Sequence, residues 1–234
     1  MDDMPALFGS AYNQFSLKNL SGLSIWLRAD LGITLNGSTV ASWGDLSGNG
    51  RTVSQADPTK QPTFVASSST FNGKPCVRSD GSNDVLASSV NVWPATSYTL
   101  MAVLATVSGS SGEYFANPGV GGNSPEHFYG AAETTFQRFN GVSKTLTSAT
   151  KTIVTYTVSG ANEALYVNGG GVVTGSSAPT ASAALLNLFG VGATPLLPRS
   201  FNLAEFAIWS RVLASYEQRK GERYMGARYA ITLA

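Results

Sequence analysis

Apolar and polar residues alternate along most of this chain in short runs, and Gly, Asn, Asp and Ser punctuate them. The clearest run is Lys151 to Ser159. Val154, Tyr156 and Val158 share one side there and Thr155 and Thr157 the other, the period of a half-buried strand. Leu23 to Arg28, Val40 to Trp43, Lys74 to Ser79, Val85 to Ala87, Thr134 to Phe139, Glu163 to Val167 and Leu185 to Gly190 predict further short strands. Tyr98 to Val107 predicts a long central one. Phe201 to Trp209 is apolar almost throughout and predicts a strand buried on both faces. Ala204, Phe206 and Ile208 would point to one face, and Leu203, Ala207 and Trp209 to the other. Asn-Gly pairs at 36–37, 72–73, 140–141 and 168–169 predict tight turns, because both residues tolerate positive φ.

One helix is expected, late in the chain. Ser215 with Gln218 three residues on has the capping-box spacing, and the helix would run from Tyr216 to about Tyr229 with Tyr216, Tyr224 and Ala227 facing inward. Many short strands with tight turns argue for antiparallel pairing and an all-β domain over residues 21–234. Residues 1–20 precede it as an arm. Leu7, Phe8, Tyr12, Phe15 and Leu17 make that arm too apolar for a disordered tail, so it is expected to dock, on its own body or on a neighbour.

Composition narrows the classes. At 234 residues the chain is long enough for one β-rich domain with a sizeable core. Its single cysteine, Cys76, excludes an intrachain disulfide and reads as a buried, inert thiol between Pro75 and Val77. A net charge of +1, with 12% charged residues, leaves no footprint for nucleic acid or an anionic membrane. No apolar run is long enough for membrane insertion, and the first residues lack the basic and apolar regions of a secretory signal. A surface dominated by Ser, Thr, Gly and Asn suits an assembly or neutral ligands such as sugars.

Five segments then form an ordered set: Trp43-Gly-Asp-Leu-Ser-Gly-Asn-Gly50, Gln61-Pro-Thr-Phe64, Asn72 through Asp84, Leu165-Tyr-Val-Asn-Gly169, and Leu203 through Leu213. In this order they resemble laminin-G-like domains of the concanavalin A-like lectin/glucanase fold, over roughly residues 21–231. The resemblance implies a two-sheet antiparallel jelly-roll sandwich with one short C-terminal helix. It also implies a binding or assembly unit of the kind found in phage structural proteins and bacterial surface proteins. Ser79 departs from it, standing where an aromatic is common before Asp-Gly.

Candidate chemistry is sparse. The glutamates are isolated, no paired-carboxylate strand pattern or G-x-S-x-G elbow occurs, and His127 is the single histidine, so catalysis is not expected. Glu205 interrupts the buried strand and needs a partner, for which Arg78 is the candidate in a structural ion pair. Laminin-G-like domains often carry calcium at a sheet rim. Asp45 and Asn49, or Asp80, Asn83 and Asp84, could supply its oxygens; the same residues at the same spacings also build tight turns. For glycan binding, Trp93, Tyr114, Glu126, His127 and Tyr129 supply aromatic and hydrogen-bonding groups. The combined expectation is a non-enzymatic phage virion component, a decoration or tail-associated protein. Its partners would be other virion proteins or copies of itself, with a module for a host surface glycan as the alternative. Calcium is the one cofactor contemplated.

Overall fold

The computed structural model describes residues 15–107, 112–116, 128–130, 135–138, 141–176, 184–190 and 199–234; for Tyr129 and Gly130 it describes the backbone alone. Seventeen strands and one α-helix are resolved among these. The strands are β1 (Leu23–Arg28), β2 (Ile33–Asn36), β3 (Thr39–Trp43), β4 (Val53–Ser54), β5 (Thr63–Val65), β6 (Cys76–Arg78), β7 (Leu86–Ser88), β8 (Ser97–Thr106) and β9 (Gly112–Ala116). They continue with β10 (Phe128–Gly130), β11 (Thr135–Arg138), β12 (Ser143–Thr145), β13 (Thr152–Ser159), β14 (Asn162–Val167), β15 (Gly170–Gly175), β16 (Asn187–Leu188) and β17 (Phe201–Trp209). The helix, α1, spans Ser215–Tyr229.

Every pairing is antiparallel. One ladder runs β1–β17–β8–β13–β14–β15, with the two longest strands at its centre. A second runs β2–β3–β4–β7–β16–β9–β10–β11–β12. The chain β3–β5–β6–β17 joins them at one side. The protein is thus mostly β with one short C-terminal helix and large antiparallel sheets, as the alternating pattern predicts.

Two apolar clusters flank the first ladder. The larger takes residues from both ladders: Leu27, Leu100, Tyr156 and Phe206 from the first, Trp43, Phe115, Phe128 and Phe136 from the second. Its aromatic rings interlock, with Phe115 4.8 Å from Phe206 and Phe128 4.9 Å from Tyr156, and each such pair contributes about 0.5–1.5 kcal/mol beyond the area it buries. The smaller cluster lies on the opposite face, where α1 covers Trp26, Met101, Ala204, Ala207 and Trp209.

Strict alternation fails once in β17. Its register against β8 slips between Leu203 and Glu205, a β-bulge, so that Ala204 and Glu205 both turn to the helix side. The expected faces therefore exchange at the bulge. Leu203 joins Phe206 and Ile208 in the larger cluster, while Ala204 joins Ala207 and Trp209 in the smaller.

The helix also differs from expectation. Its N-cap is Ala214, whose N–H donates to the Glu217 carboxylate at 2.9 Å, and Ser215 is already helical. The buried stripe is Gln218, Gly221, Glu222, Met225 and Tyr229, at the spacing one helix face requires. Tyr216 is 65% exposed, Ala227 is exposed and Tyr224 is half-buried, edge-on to Trp26. Gly221 and Glu222 meet the sheet instead, against Met101 and Thr155.

Residues 15–22, just before β1, join the body. Leu17 and Leu20 are buried in the smaller cluster, and the Phe15 ring packs edge-on against Tyr224 at 6.1 Å. Leu7, Phe8 and Tyr12 lie outside the described residues. Asn168 and Gly169 both take positive φ in the β14–β15 turn, and Asn72 and Gly73 do the same. At Asn36-Gly37 only Gly37 does, which places it first of the two turn residues, as in a II′ turn. Asn140 lies outside the described residues.

Candidate functional site

The open depression that combines volume with polar lining lies across β13, β14 and β15, about 510 Å³ in size. It is lined by Thr157, Ser159, Asn162, Glu163, Ala164, Thr174, Gly175 and Ser176. The register explains the surface. Thr157, Ala164 and Thr174 stand in one cross-strand row, and Ser159 and Asn162 pair in the next. In β13 the partners Tyr156 and Val158 face the core, so Thr157 and Ser159 take the other face, where Ser159 is exposed and Thr157 is largely covered. Ala164 keeps the floor low between two threonines. The result is a groove of hydroxyls and one amide, groups that both donate and accept hydrogen bonds, with its one lining carboxylate, Glu163, paired to Arg138.

Beneath the groove sits a buried ion pair. Glu163 accepts from Arg138 Nε at 2.6 Å and from Tyr156 Oη at 2.6 Å, and its second oxygen accepts from Arg138 Nη2 at 3.2 Å. The Glu163 side chain is fully buried and that of Arg138 nearly so. Burial pushes the Tyr156 hydroxyl far above its ordinary pKa, so it stays a donor. Glu163 also lines the groove, but its carboxylate is bound by Arg138 and Tyr156 on the inner face.

Two more carboxylates are buried under α1. Glu205 accepts from Trp26 Nε1 at 2.7 Å through Oε1, while its Oε2 has no hydrogen-bond partner and lies 4.0 Å from Arg228 Nε. Burial pushes its pKa up to about 7. Asp30 bridges Arg28, at 2.7 Å, to Arg228 at the edge of this cluster. Arg28 also donates to Tyr224 Oη at 3.2 Å. Glu222 accepts from Thr155 Oγ1 at 3.0 Å and Gln218 Nε2 at 2.8 Å. The expected Arg78–Glu205 pair does not form. Arg78 is exposed and donates to Asn202 Oδ1 at 2.8 Å, because β6 reaches β17 only at Asn202 and Leu203.

The other candidates separate in the same way. Trp93 and Tyr114 are core residues rather than exposed sugar platforms. Trp93 stacks on Phe128 at 5.9 Å, and Tyr114 packs on Phe201 at 5.0 Å and donates to the Thr135 carbonyl. Glu126 and His127 lie outside the described residues, as does the Tyr129 side chain; its backbone pairs with Glu113 and Gln137. Cys76 is fully buried, and burial pushes its thiol up to about 11.

Asp45 is occupied by the chain itself. Its two oxygens accept from the backbone N–H groups of Trp26, Ser47 and Arg51 and from the Ser47 hydroxyl. Asn49 donates to the Leu23 and Ser24 carbonyls, fastening the same turn to β1. Asp84 is buried and accepts from the Asp80 N–H at 2.8 Å, while Asp80 accepts from the Ser82 N–H. Burial, with the nearby Asp80 charge, raises Asp84 to about 6. Asn83 is half-buried beside them. These are the bonds of turns. Among the described residues no three His, Cys, Asp or Glu side chains converge as a metal site would require.

No protein-family model matches this chain, and no curated protein does. Solved structures do. A sialidase of Trypanosoma rangeli, in complex with 2,3-difluorosialic acid, superposes with a TM-score of 0.61 at 14% identity. The binding domain of Paraclostridial Mosquitocidal Protein 1 gives 0.61 at 14%. A GH54 α-L-arabinofuranosidase soaked with a cyclic sulfate inhibitor gives 0.64 at 14%. The likeness is one of fold. It covers 89%, 91% and 82% of this chain respectively, but 33%, 53% and 51% of those chains, so this protein spans a third to about half of their length.

The groove residues were not singled out in the sequence. Their signal is nevertheless there: hydroxyls at 157 and 159 alternate with buried apolar residues, and Thr174 aligns with them once β14 and β15 are paired. Searching for aromatics led instead to residues that fill the core.

Proposed function

We propose that this protein is a non-catalytic carbohydrate-binding domain on a jelly-roll sandwich of the laminin-G-like kind, holding a neutral stretch of glycan in the groove across β13, β14 and β15. The observation that carries this is the groove's composition: Thr157, Ser159, Asn162, Thr174 and Ser176 set neutral donors and acceptors on a rigid sheet above a buried ion pair. Sugar hydroxyls need such paired donors and acceptors, and placing them on strands limits the entropy lost on binding. The similar structures include a sialidase and an arabinofuranosidase, which fits a glycan ligand. Catalysis is left out because the carboxylate nearest the groove, Glu163, is held by Arg138 and Tyr156 on the other side of the sheet.

The virion-component reading retains the near-neutral composition in its favour. It loses part of the arm, since Phe15 and Leu17 pack on the chain's own helix and strands. A glycan-binding domain can be carried by a virion or by a cell surface, so the ligand is the question to settle first. Screening the protein on a panel of neutral oligosaccharides tests it, with the double variant Thr157→Val, Thr174→Val as control. Loss of about tenfold or more in affinity is expected from two removed hydrogen bonds. Equal binding by variant and wild type would remove the groove from the account.

A further inference from the structure

A sheet leaves backbone N–H and C=O groups unpaired along its end strands, and the two ladders have four such ends. Three are guarded. The open side of β1 is covered by the turn after β3. Leu46 N–H donates there to the Trp26 carbonyl at 2.7 Å, Asp45 accepts from the Trp26 N–H, and Asn49 donates to the Leu23 and Ser24 carbonyls. β12 is three residues long with Lys144 at its centre, and β2 is four residues long with a register slip against β3 between Thr34 and Leu35. Short length, a lysine and an irregular ladder each discourage a further strand.

The fourth end, β15, is open. Gly170-Gly-Val-Val-Thr-Gly175 carries no charge and no proline. Its own register slip lies at the turn end, where Gly171 takes φ +52°, so Val172 to Gly175 continue regularly. Val172 is 50% and Val173 36% exposed, and Gly171 and Thr174 are exposed as well. The register gives the direction of the backbone groups. The Asn168 N–H donates to the Ile153 carbonyl, so by alternation Ala164 and Tyr166 bond toward β13, and Glu163 and Leu165 bond toward β15. Their partners in β15 are Gly175 and Val173. The backbone N–H and C=O of Val172 and Thr174 therefore point away from the sheet, and no described strand pairs with them.

We infer that β15 pairs antiparallel with β15 of a second copy of this chain, continuing the first ladder across a two-fold axis. An antiparallel edge is its own complement, because both copies offer the same alternation of N–H and C=O and the contact satisfies both equally. The symmetric register pairs Val172 of each copy with Thr174 of the other and sets Val173 opposite its own counterpart on the axis. Val173 then meets Val173 on the face of Leu165, and Val172 meets Thr174 on the opposite face. Charge favours a copy of the chain as the occupant. The edge carries none, and a net charge of +1 sets little repulsion between whole molecules. The nearby cation, Lys144, donates to the Gly170 carbonyl at the turn end of β15, and antiparallel pairing keeps the two turn ends apart. The pairing does not depend on the ligand proposed above. A single strand edge is small beside the ~800 Å² per partner of a standard interface, so the dimer forms and dissociates with concentration.

Sedimentation of the full chain from about 1 μM to about 1 mM tests the inference. The wild type is expected to pass from the monomer mass toward twice that mass. Val172→Lys places a cation on the exposed edge and should weaken association by about tenfold, with little change in the melting temperature of the dilute protein. Val173→Cys supplies an independent reading. Facing residues of a non-hydrogen-bonded pair stand about 4.5 Å apart at Cα, within disulfide reach, so mild oxidation should join two copies. Val90→Cys is the control, since Val90 is 48% exposed but lies off this edge, and the native Cys76 is fully buried. A wild type that stays monomeric over the whole range overturns the inference. So does Val172→Lys associating as the wild type does, or Val173→Cys cross-linking no faster than Val90→Cys. Should Val172→Lys fail to fold, the cysteine pair decides.

Discussion

A carboxylate in the middle of an apolar strand has to be reconciled with its surroundings, and Glu205 is reconciled by the Trp26 indole and by a raised pKa. Its ordinary value of 4.5 becomes about 7 in the fold, chiefly through burial. A raised acid pKa means that the folded state binds the proton more tightly than the unfolded chain does. The associated stability is then fully present below about 4.5 and is lost as pH rises through 7, a change of about 3 kcal/mol. Glu205→Gln keeps an acceptor for Trp26 and removes the charge. Thermal unfolding from pH 5 to pH 8.5 should show the wild type losing stability relative to this variant as pH rises; parallel curves would refute the shift. The sequence showed that Glu205 needs compensation, since it stands among Phe201, Leu203, Phe206 and Ile208. The partner was not legible. Arg78 sits in an adjoining strand, but the bulge at Ala204 turns Glu205 toward Trp26 and the helix.

At the scale of elements, turns and strands were the legible part, because their signals are local. Asn168-Gly169 and Asn72-Gly73 take the positive φ that their types favour, and β13 keeps the alternation that predicts its faces. The helix was legible in extent but not in orientation. Its sheet-facing stripe includes Gln218, Gly221 and Glu222, so ranking positions by hydrophobicity turns it outward side in. A further element depends on a contact that no local pattern reveals. Gly32 and Gly44 meet backbone to backbone, with the Gly44 N–H donating to the Gly32 carbonyl at 2.7 Å where the chain enters β2 and leaves β3. Gly32 has φ +76°, and a Cβ there would stand 2.8 Å from the Gly44 carbonyl oxygen. Gly32→Ala is expected to cost about 1–3 kcal/mol, lowering the melting temperature by about 2–4 °C per kcal/mol. An unchanged melting temperature would show that this crossing can relax.

For the whole molecule, residues 15–20 pack as part of the body. Leu17 is fully buried against Met101 and the α1 stripe at Gly221. Leu17→Ala should cost about 2–5 kcal/mol. A chain starting after Leu20 should unfold at a lower temperature than one starting at Phe15, and equal melting would detach the segment from the core. The domain class was readable because strand period and turn chemistry repeat along the chain. The groove was not, because it exists only after β13, β14 and β15 are in register.

The order of strands also bears on how the protein is made. β17, made after the other described strands, lies between β1, made before them, and β8. At about 5–20 residues per second, the stretch from β1 to β17 takes on the order of ten seconds or more to make, and the central ladder stays open on one side for that time. During that interval β1 and β8 expose the edges that β17 will cover, so chaperone demand should fall most heavily on the nascent chain just before Phe201 emerges.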